Sequence, residues 1–170
     1  MFKIYITIFL LFFVNLYAEI VKEVDVKGNN RISLETIKVY GEINIGDDVS
    51  AFDVNIILKN LYKTNFFEDV KISLSNGALN ITVKEYAVIN FIELKGEKSN
   101  TIKKSVLEKL QLKPKESFIE NKVLEDVNLL KKIYGSIGYN FANVETKIEK
   151  FDNNRVNLIY LLDKGKKTNI

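Results

Sequence analysis

Three pairs of adjacent acids, Asp47-Asp48, Glu68-Asp69 and Glu125-Asp126, are the residues of this chain best suited by type to proton-transfer chemistry. Acid–base work by carboxylates needs two groups converging on one substrate with their pKa values pushed apart. Adjacent residues point to opposite faces of a strand and diverge on a helix, so adjacency alone builds no proton-sharing pair. Turn and cap positions account for these acids better. The chain has no Cys, no His and no Trp, which removes the usual nucleophile–base pairs, imidazole proton shuttles and nearly all zinc chemistry. No glycine-rich phosphate loop and no metal-ligand spacing occurs. The reading is therefore a binding module and not an enzyme, with no catalytic, cofactor or metal residues to assign.

The elements that would position a binding surface are legible. With 46% hydrophobic and 28% charged residues in 170 positions, the chain can bury one ordinary core or two small ones. The first eighteen residues stand apart. Lys3 is their only charge, an apolar run extends from Ile4 to Val14, and Asn15-Leu16-Tyr17-Ala18 leads into Glu19. A positive end, an apolar run of about 7–15 residues and a small residue at the break describe a secretory signal peptide. Cleavage is expected between Ala18 and Glu19, although Leu16 is larger than the side chain usually found at its place. A membrane anchor needs roughly 20 apolar residues, and this run is short for one.

The remainder repeats. Ile20, Val24 and Val26 lead to Gly28 as Val88, Ile92 and Leu94 lead to Gly96, and the two glycines are 68 positions apart. Each alternating stretch reads as a strand. A polar turn and a cap follow, Ser33 in the first copy and Asn100 in the second, ahead of helices with stripes Leu34, Ile37, Tyr40 and Ile102, Val106, Leu110. Ser50-Ala51-Phe52-Asp53 and Ser117-Phe118-Ile119-Glu120 read as capping boxes for second helices, with Val54, Ile57, Leu58, Leu61, Tyr62 and Val123, Val127, Leu130, Tyr134 inward. Two alternating strands close each copy, joined at Ser75-Asn76-Gly77 and at Phe151-Asp152-Asn153-Asn154.

The order β-α-α-β-β, twice, predicts an α+β chain of two tandem domains, residues 19–86 and 87–166, with residues 167–170 opening a third repeat. In each, two helices on one face of a three-stranded sheet hide every apolar stripe at once.

Particular residues carry a resemblance. Val26-Lys27-Gly28-Asn29 with Arg31 and Ile32, Gly46-Asp47, Asn65-Phe66-Phe67-Glu68-Asp69-Val70 and Thr82-Val83-Lys84-Glu85 resemble, in order and spacing, the first POTRA domain of the BamA family. Val88-Ile89-Asn90, Leu94-Lys95-Gly96, Tyr134, Gly138-Tyr139 and Asp163-Lys164-Gly165-Lys166-Lys167 are similar to the next. The resemblance implies further repeats and a membrane-embedded β-barrel past Ile170. It also implies a location at the periplasmic face of the outer membrane. Its expected partners are unfolded outer-membrane proteins, periplasmic chaperones and assembly lipoproteins. The alternatives within this reading are the POTRA region of a two-partner-secretion or TamA-type translocation protein, or a soluble periplasmic adaptor.

A mechanism also follows from topology alone. If the first strand pairs with the last, the penultimate strand is an edge with free amides and carbonyls, open to an incoming extended chain. The expected edges are Asp69, Val70, Lys71, Ile72, Ser73 and Leu74 in the first copy, and Ala142, Asn143, Val144, Glu145, Thr146, Lys147 and Ile148 in the second. Charge divides unevenly: residues 19–86 carry 8 basic and 11 acidic side chains, and residues 87–170 carry 16 and 11. Lys103, Lys104, Lys113, Lys115, Lys131 and Lys132 are candidates for an acidic partner or anionic lipid headgroups. No aromatic platform or GxxG loop accompanies them, so nucleic acid is not an expected partner.

Overall fold

The computed structural model describes residues 18–168; the expected signal peptide lies outside the described residues except for the exposed Ala18. The chain packs as two compact units, one formed up to Lys63 together with Val70–Val83, the other from Thr64–Asp69 together with Lys84 onward.

In chain order the first five strands and two helices are β1 (Glu19–Ile20), β2 (Glu23–Lys27), α1 (Leu34–Gly41), β3 (Asp48–Val49), α2 (Ala51–Lys63), β4 (Phe67–Ser75) and β5 (Ala78–Glu85). β2, β5 and β4 form a sheet in that order, with β2 parallel to β5. The β4–β5 turn uses Asn76 and Gly77, both at positive φ, the arrangement that joins twisted antiparallel strands without splaying them. Ile37, Ile57, Leu61, Val70, Leu79, Ile81 and Val83 are buried. The Ser50–Asp53 capping box is present in full: Asp53 Oδ2 accepts the Ser50 amide at 2.9 Å and its hydroxyl at 2.6 Å, and Ser50 Oγ accepts the Asp53 amide at 3.3 Å. These bonds, the Ser50 hydroxyl first, hold the Asp53 carboxyl below its ordinary value.

Two expectations for this unit are corrected. The first strand is not continuous from Ile20 to Gly28. β1 leaves the sheet to pair with β3, with Glu19 opposite Val49, and the Lys22 and Glu23 amides turn onto Gly77 O at 2.8 and 3.2 Å. That break shifts the inward phase, so Val21 is 0% exposed and Ile20 is 55% exposed. Tyr40 likewise stands in solvent, and α1 buries Ile37 and Gly41 instead.

The second unit repeats the order with β6 (Val88–Lys95), α3 (Asn100–Lys109), α4 (Glu120–Ser136), β7 (Asn143–Phe151) and β8 (Arg155–Asp163). β8 is the central strand, parallel to β6 and antiparallel to β7, with Asn143 opposite Asp163 and Phe151 opposite Arg155. A bulge at Asn90 shifts the β6 register. Val156, Leu158, Tyr160 and Leu162 face a core shared with Val106, Val123, Leu130 and Tyr134.

The caps here differ from expectation. Ser99, not Asn100, caps α3, its Oγ accepting the Ile102 amide at 3.4 Å. Ser117 forms no capping box: it bridges to Val88 as extended chain, and α4 starts at Glu120 behind Ile119 with no side-chain cap. Pairing of the segment with β6 holds Ser117 away from the helix.

Gly28 and Gly96, the pair that revealed the repeat, sit at φ +83° and +93°. A Cβ on them would lie 2.1 Å from Val83 O and 1.9 Å from Leu162 O. Only glycine allows the first strand to end against the last in each unit.

Candidate binding edges

Each sheet places its penultimate strand at one edge, β4 in the first and β7 in the second. Asp69, Val70, Lys71, Ile72, Ser73 and Leu74 all lie in β4, and Asn143, Val144, Glu145, Thr146, Lys147 and Ile148 all lie in β7. Ala142 stands one residue before β7, its amide donating to Tyr139 O at 3.1 Å. Along β4, Val70 is buried and Ile72 and Leu74 half-buried toward the helices, while Lys71 and Ser73 are exposed.

The opposite edge was not anticipated. β2 and β6 are also outermost, and the chain covers the start of β6, and Val21 just ahead of β2, with its own backbone. Around Val21, its amide donates to Asp47 O at 2.9 Å and Gly46 donates to its carbonyl at 2.7 Å. Around Ile89, its amide donates to Glu116 O at 2.9 Å and Lys115 donates to its carbonyl at 2.7 Å. Both units thus use the loop ahead of their second helix as a short protecting strand, a standard way of blunting an edge.

The two penultimate edges are unequally open. Beside β4 lies a groove of about 410 Å³, bounded by Ile72, Ser73 and Leu74 on one side, by Ala51, Val54 and Asn55 of α2 on the other, and by Glu19 and Val49 at its end. One β4 amide is already taken, because Val70 donates to Tyr62 Oη at 3.1 Å. On β7, Lys147 pairs with Glu149 at 2.8 Å, and Glu149 also accepts from Asn157 Nδ2 at 3.2 Å. Lys147 first, then Asn157, holds the Glu149 carboxyl below its ordinary value, and Glu149 raises the Lys147 ammonium. A charge pair of this kind on an edge strand discourages an added strand.

The acid pairs do not converge. Asp47 accepts the Asn44 amide in a turn at 2.9 Å, and Glu68 pairs with Lys84 at 2.7 Å. Asp126 is 0% exposed, accepting the Gln111 and Leu112 amides at 2.6 and 3.1 Å and the Tyr160 hydroxyl at 3.1 Å. Burial first, then the Asp126 charge, pushes the Tyr160 phenol above its usual range. Asp126 thus stitches the end of α3 and strand β8 to α4, a structural role. The signal for it was present in the sequence: it stands three residues after Val123 and four before Leu130, on the buried stripe. Among the basic candidates, Lys113 donates to the carbonyls of Leu107 and Glu108 at 3.3 and 2.7 Å and so closes the end of α3. Among the described residues no helix is long and apolar enough to cross a membrane.

Comparison with known proteins agrees with this architecture. Residues 87–165 match the family described as POTRA, surface antigen variable number repeat. The chain is 29% identical over 153 residues to the outer membrane protein assembly factor BamA of Neisseria meningitidis, covering 88% of this chain and 19% of that protein. It is 29% identical over 167 residues to the BamA of Buchnera aphidicola, covering 92% and 26%. The chain therefore spans about a fifth to a quarter of these relatives. Among solved structures, the N-terminal domain of Omp85 from Thermosynechococcus elongatus shares the fold with a TM-score of 0.54 at 16% identity, over 84% of this chain and 62% of that one.

Proposed function

We infer that this chain is a POTRA-bearing member of the BamA family of outer-membrane protein assembly factors, to which it is similar, and that it receives unfolded outer-membrane proteins by adding their strands to the outer edge of β4. It is an exported protein of the periplasmic face of the outer membrane, as its family is. The observation that carries the reading is the groove of about 410 Å³ running beside Ile72, Ser73 and Leu74. Strand addition satisfies the edge through backbone bonds, which are indifferent to client sequence. The groove wall of Val54 and Ala51 then accepts the alternate apolar side chains that β-rich clients share. The paired charges on β7 and the loop over the start of β6 direct the incoming strand toward β4. Chaperones and assembly lipoproteins would meet the remaining surface, with a membrane β-barrel joined later in the chain.

The test is site-specific photocrosslinking to an extended peptide from an outer-membrane protein strand. A photoreactive residue at Ser73 is expected to capture the peptide, and one at Lys147 to capture it several-fold less. Equal capture at both positions, or none at Ser73, contradicts the assignment of β4.

A further inference from the structure

We infer that the second unit holds the segment leaving its last strand on a fixed path, residues 164–168 forming a strap whose anchor is Glu97. The inference does not depend on edge binding. Glu97 follows Gly96 in the turn after β6, and its side chain is 2% exposed. A carboxylate so far from water is costly unless its oxygens are filled. Here they are: the Ser99 amide donates at 2.8 Å, Tyr134 Oη at 3.0 Å, and Lys164 Nζ at 3.3 and 3.1 Å to the two oxygens. Lys164 is the first residue beyond β8. Its ammonium also lies 5.3 Å from the centre of the Tyr139 ring, with Lys167 Nζ at 6.0 Å.

The far end of the strap is held separately. Thr168 donates its amide to Gly138 O at 2.8 Å and its hydroxyl to the same oxygen at 3.0 Å, while Asn140 Nδ2 donates to Thr168 Oγ1. The strap passes so close that a Cβ on Gly138 would lie 3.1 Å from Lys167 Cε and 3.3 Å from Thr168 O. The corresponding turn of the first unit has no such acid: after Gly28 stands Asn29, whose side chain donates to Ile32 O at 2.9 Å within its own turn. An acid buried in this turn and spent on the exit strap of the second unit, where the first unit has Asn29, marks a device for direction. A repeat joined after the strap would start from an orientation set by this unit.

Amide hydrogen exchange and limited trypsin cleavage of the whole chain test this, since Lys164, Lys166 and Lys167 are trypsin sites within the strap. In the parent, the bonded amides of Gly165 and Thr168 are expected to exchange slowly and the strap to resist cleavage. Glu97→Gln keeps an acceptor for Ser99 but releases the charge, and is expected to speed exchange of the strap by at least about tenfold while β8 amides stay protected. If Glu97→Gln unfolds the unit, Lys164→Gln, altered at the more exposed end of the pair, decides in the same way. A strap that exchanges like free peptide in the parent, or that is unchanged in the folded variant, overturns the inference.

Discussion

Tyr62 reaches from α2 to the edge of the sheet, where its hydroxyl accepts the Val70 amide at 3.1 Å. A two-residue turn at Asn76-Gly77 makes Ser75 and Ala78 the bonded closing pair of the hairpin. Counting back by twos, Ser73 and Lys71 bond toward β5, and Leu74, Ile72 and Val70 present their amides outward. Within residues 69–74, Tyr62 thus closes one outward amide and leaves those of Ile72 and Leu74. Tyr62→Phe reopens it. The expected result is tighter binding of an extended peptide, with a loss of about 1 kcal/mol in stability for one hydrogen bond. Isothermal titration and chemical denaturation of the same variant read both quantities.

Gly28 and Gly96 offer a test of the shared architecture. Alanine at either meets a backbone carbonyl, Val83 O or Leu162 O, and must hold a positive φ. Each substitution is expected to cost about 3 kcal/mol or more, beyond the usual penalty for alanine at φ above zero. The loss should fall on its own unit, seen as selective hydrogen exchange on that side of the chain. Leu61→Ala and Leu130→Ala, at buried positions of α2 and α4, should do likewise at about 2–5 kcal/mol each. Equal loss of protection in both units would show that they fold as one.

These positions also mark what the sequence makes legible. Gly28 and Gly96 stand out because a glycine closing an alternating run repeats at one spacing, and the helices stand out because Ile57–Leu61 and Val123–Leu130 keep a helical period. The comparisons match BamA relatives and, over residues 87–165, the POTRA family, and β4 and β7 are outermost strands. Four features depend on long-range partners. Ser117 looks like a cap until β6 claims it as extended chain. Val21 is inward only because Gly77 O draws the Lys22 and Glu23 amides. Tyr62 reads as part of a buried stripe, yet its hydroxyl serves the edge. Asp126, read as a turn or cap acid, is buried because two amides and a phenol in distant elements reach it.

Acid should act on the second unit through Glu97. Burial alone would raise this carboxyl, but the Ser99 amide, Lys164 and Tyr134 outweigh it and hold the pKa below the ordinary 4.5. A carboxyl whose folded pKa is depressed contributes stability above the unfolded value and loses it as pH falls through the folded one. The unfolding midpoint of the second unit is therefore expected to be level from about pH 7 to about pH 5 and to decline below that. Glu97→Gln should start lower and decline less steeply. A variant with the same acid slope as the parent would show that the pair contributes nothing.

The most direct measurement of strand capture by β4 is a proline scan of its edge, with folding followed by circular dichroism and binding by an extended outer-membrane strand peptide. Proline removes one amide and fixes φ, so its effect depends on which way that amide points. At Ile72 or Leu74, whose amides face outward, the variant should keep its fold and lose most of its affinity, while a side-chain change to Val at either position should alter affinity little. At Lys71 or Ser73, whose amides bond to β5, proline should unfold the first unit. If the folded Ile72→Pro and Leu74→Pro chains bind the peptide as tightly as the parent, capture by the β4 edge is contradicted.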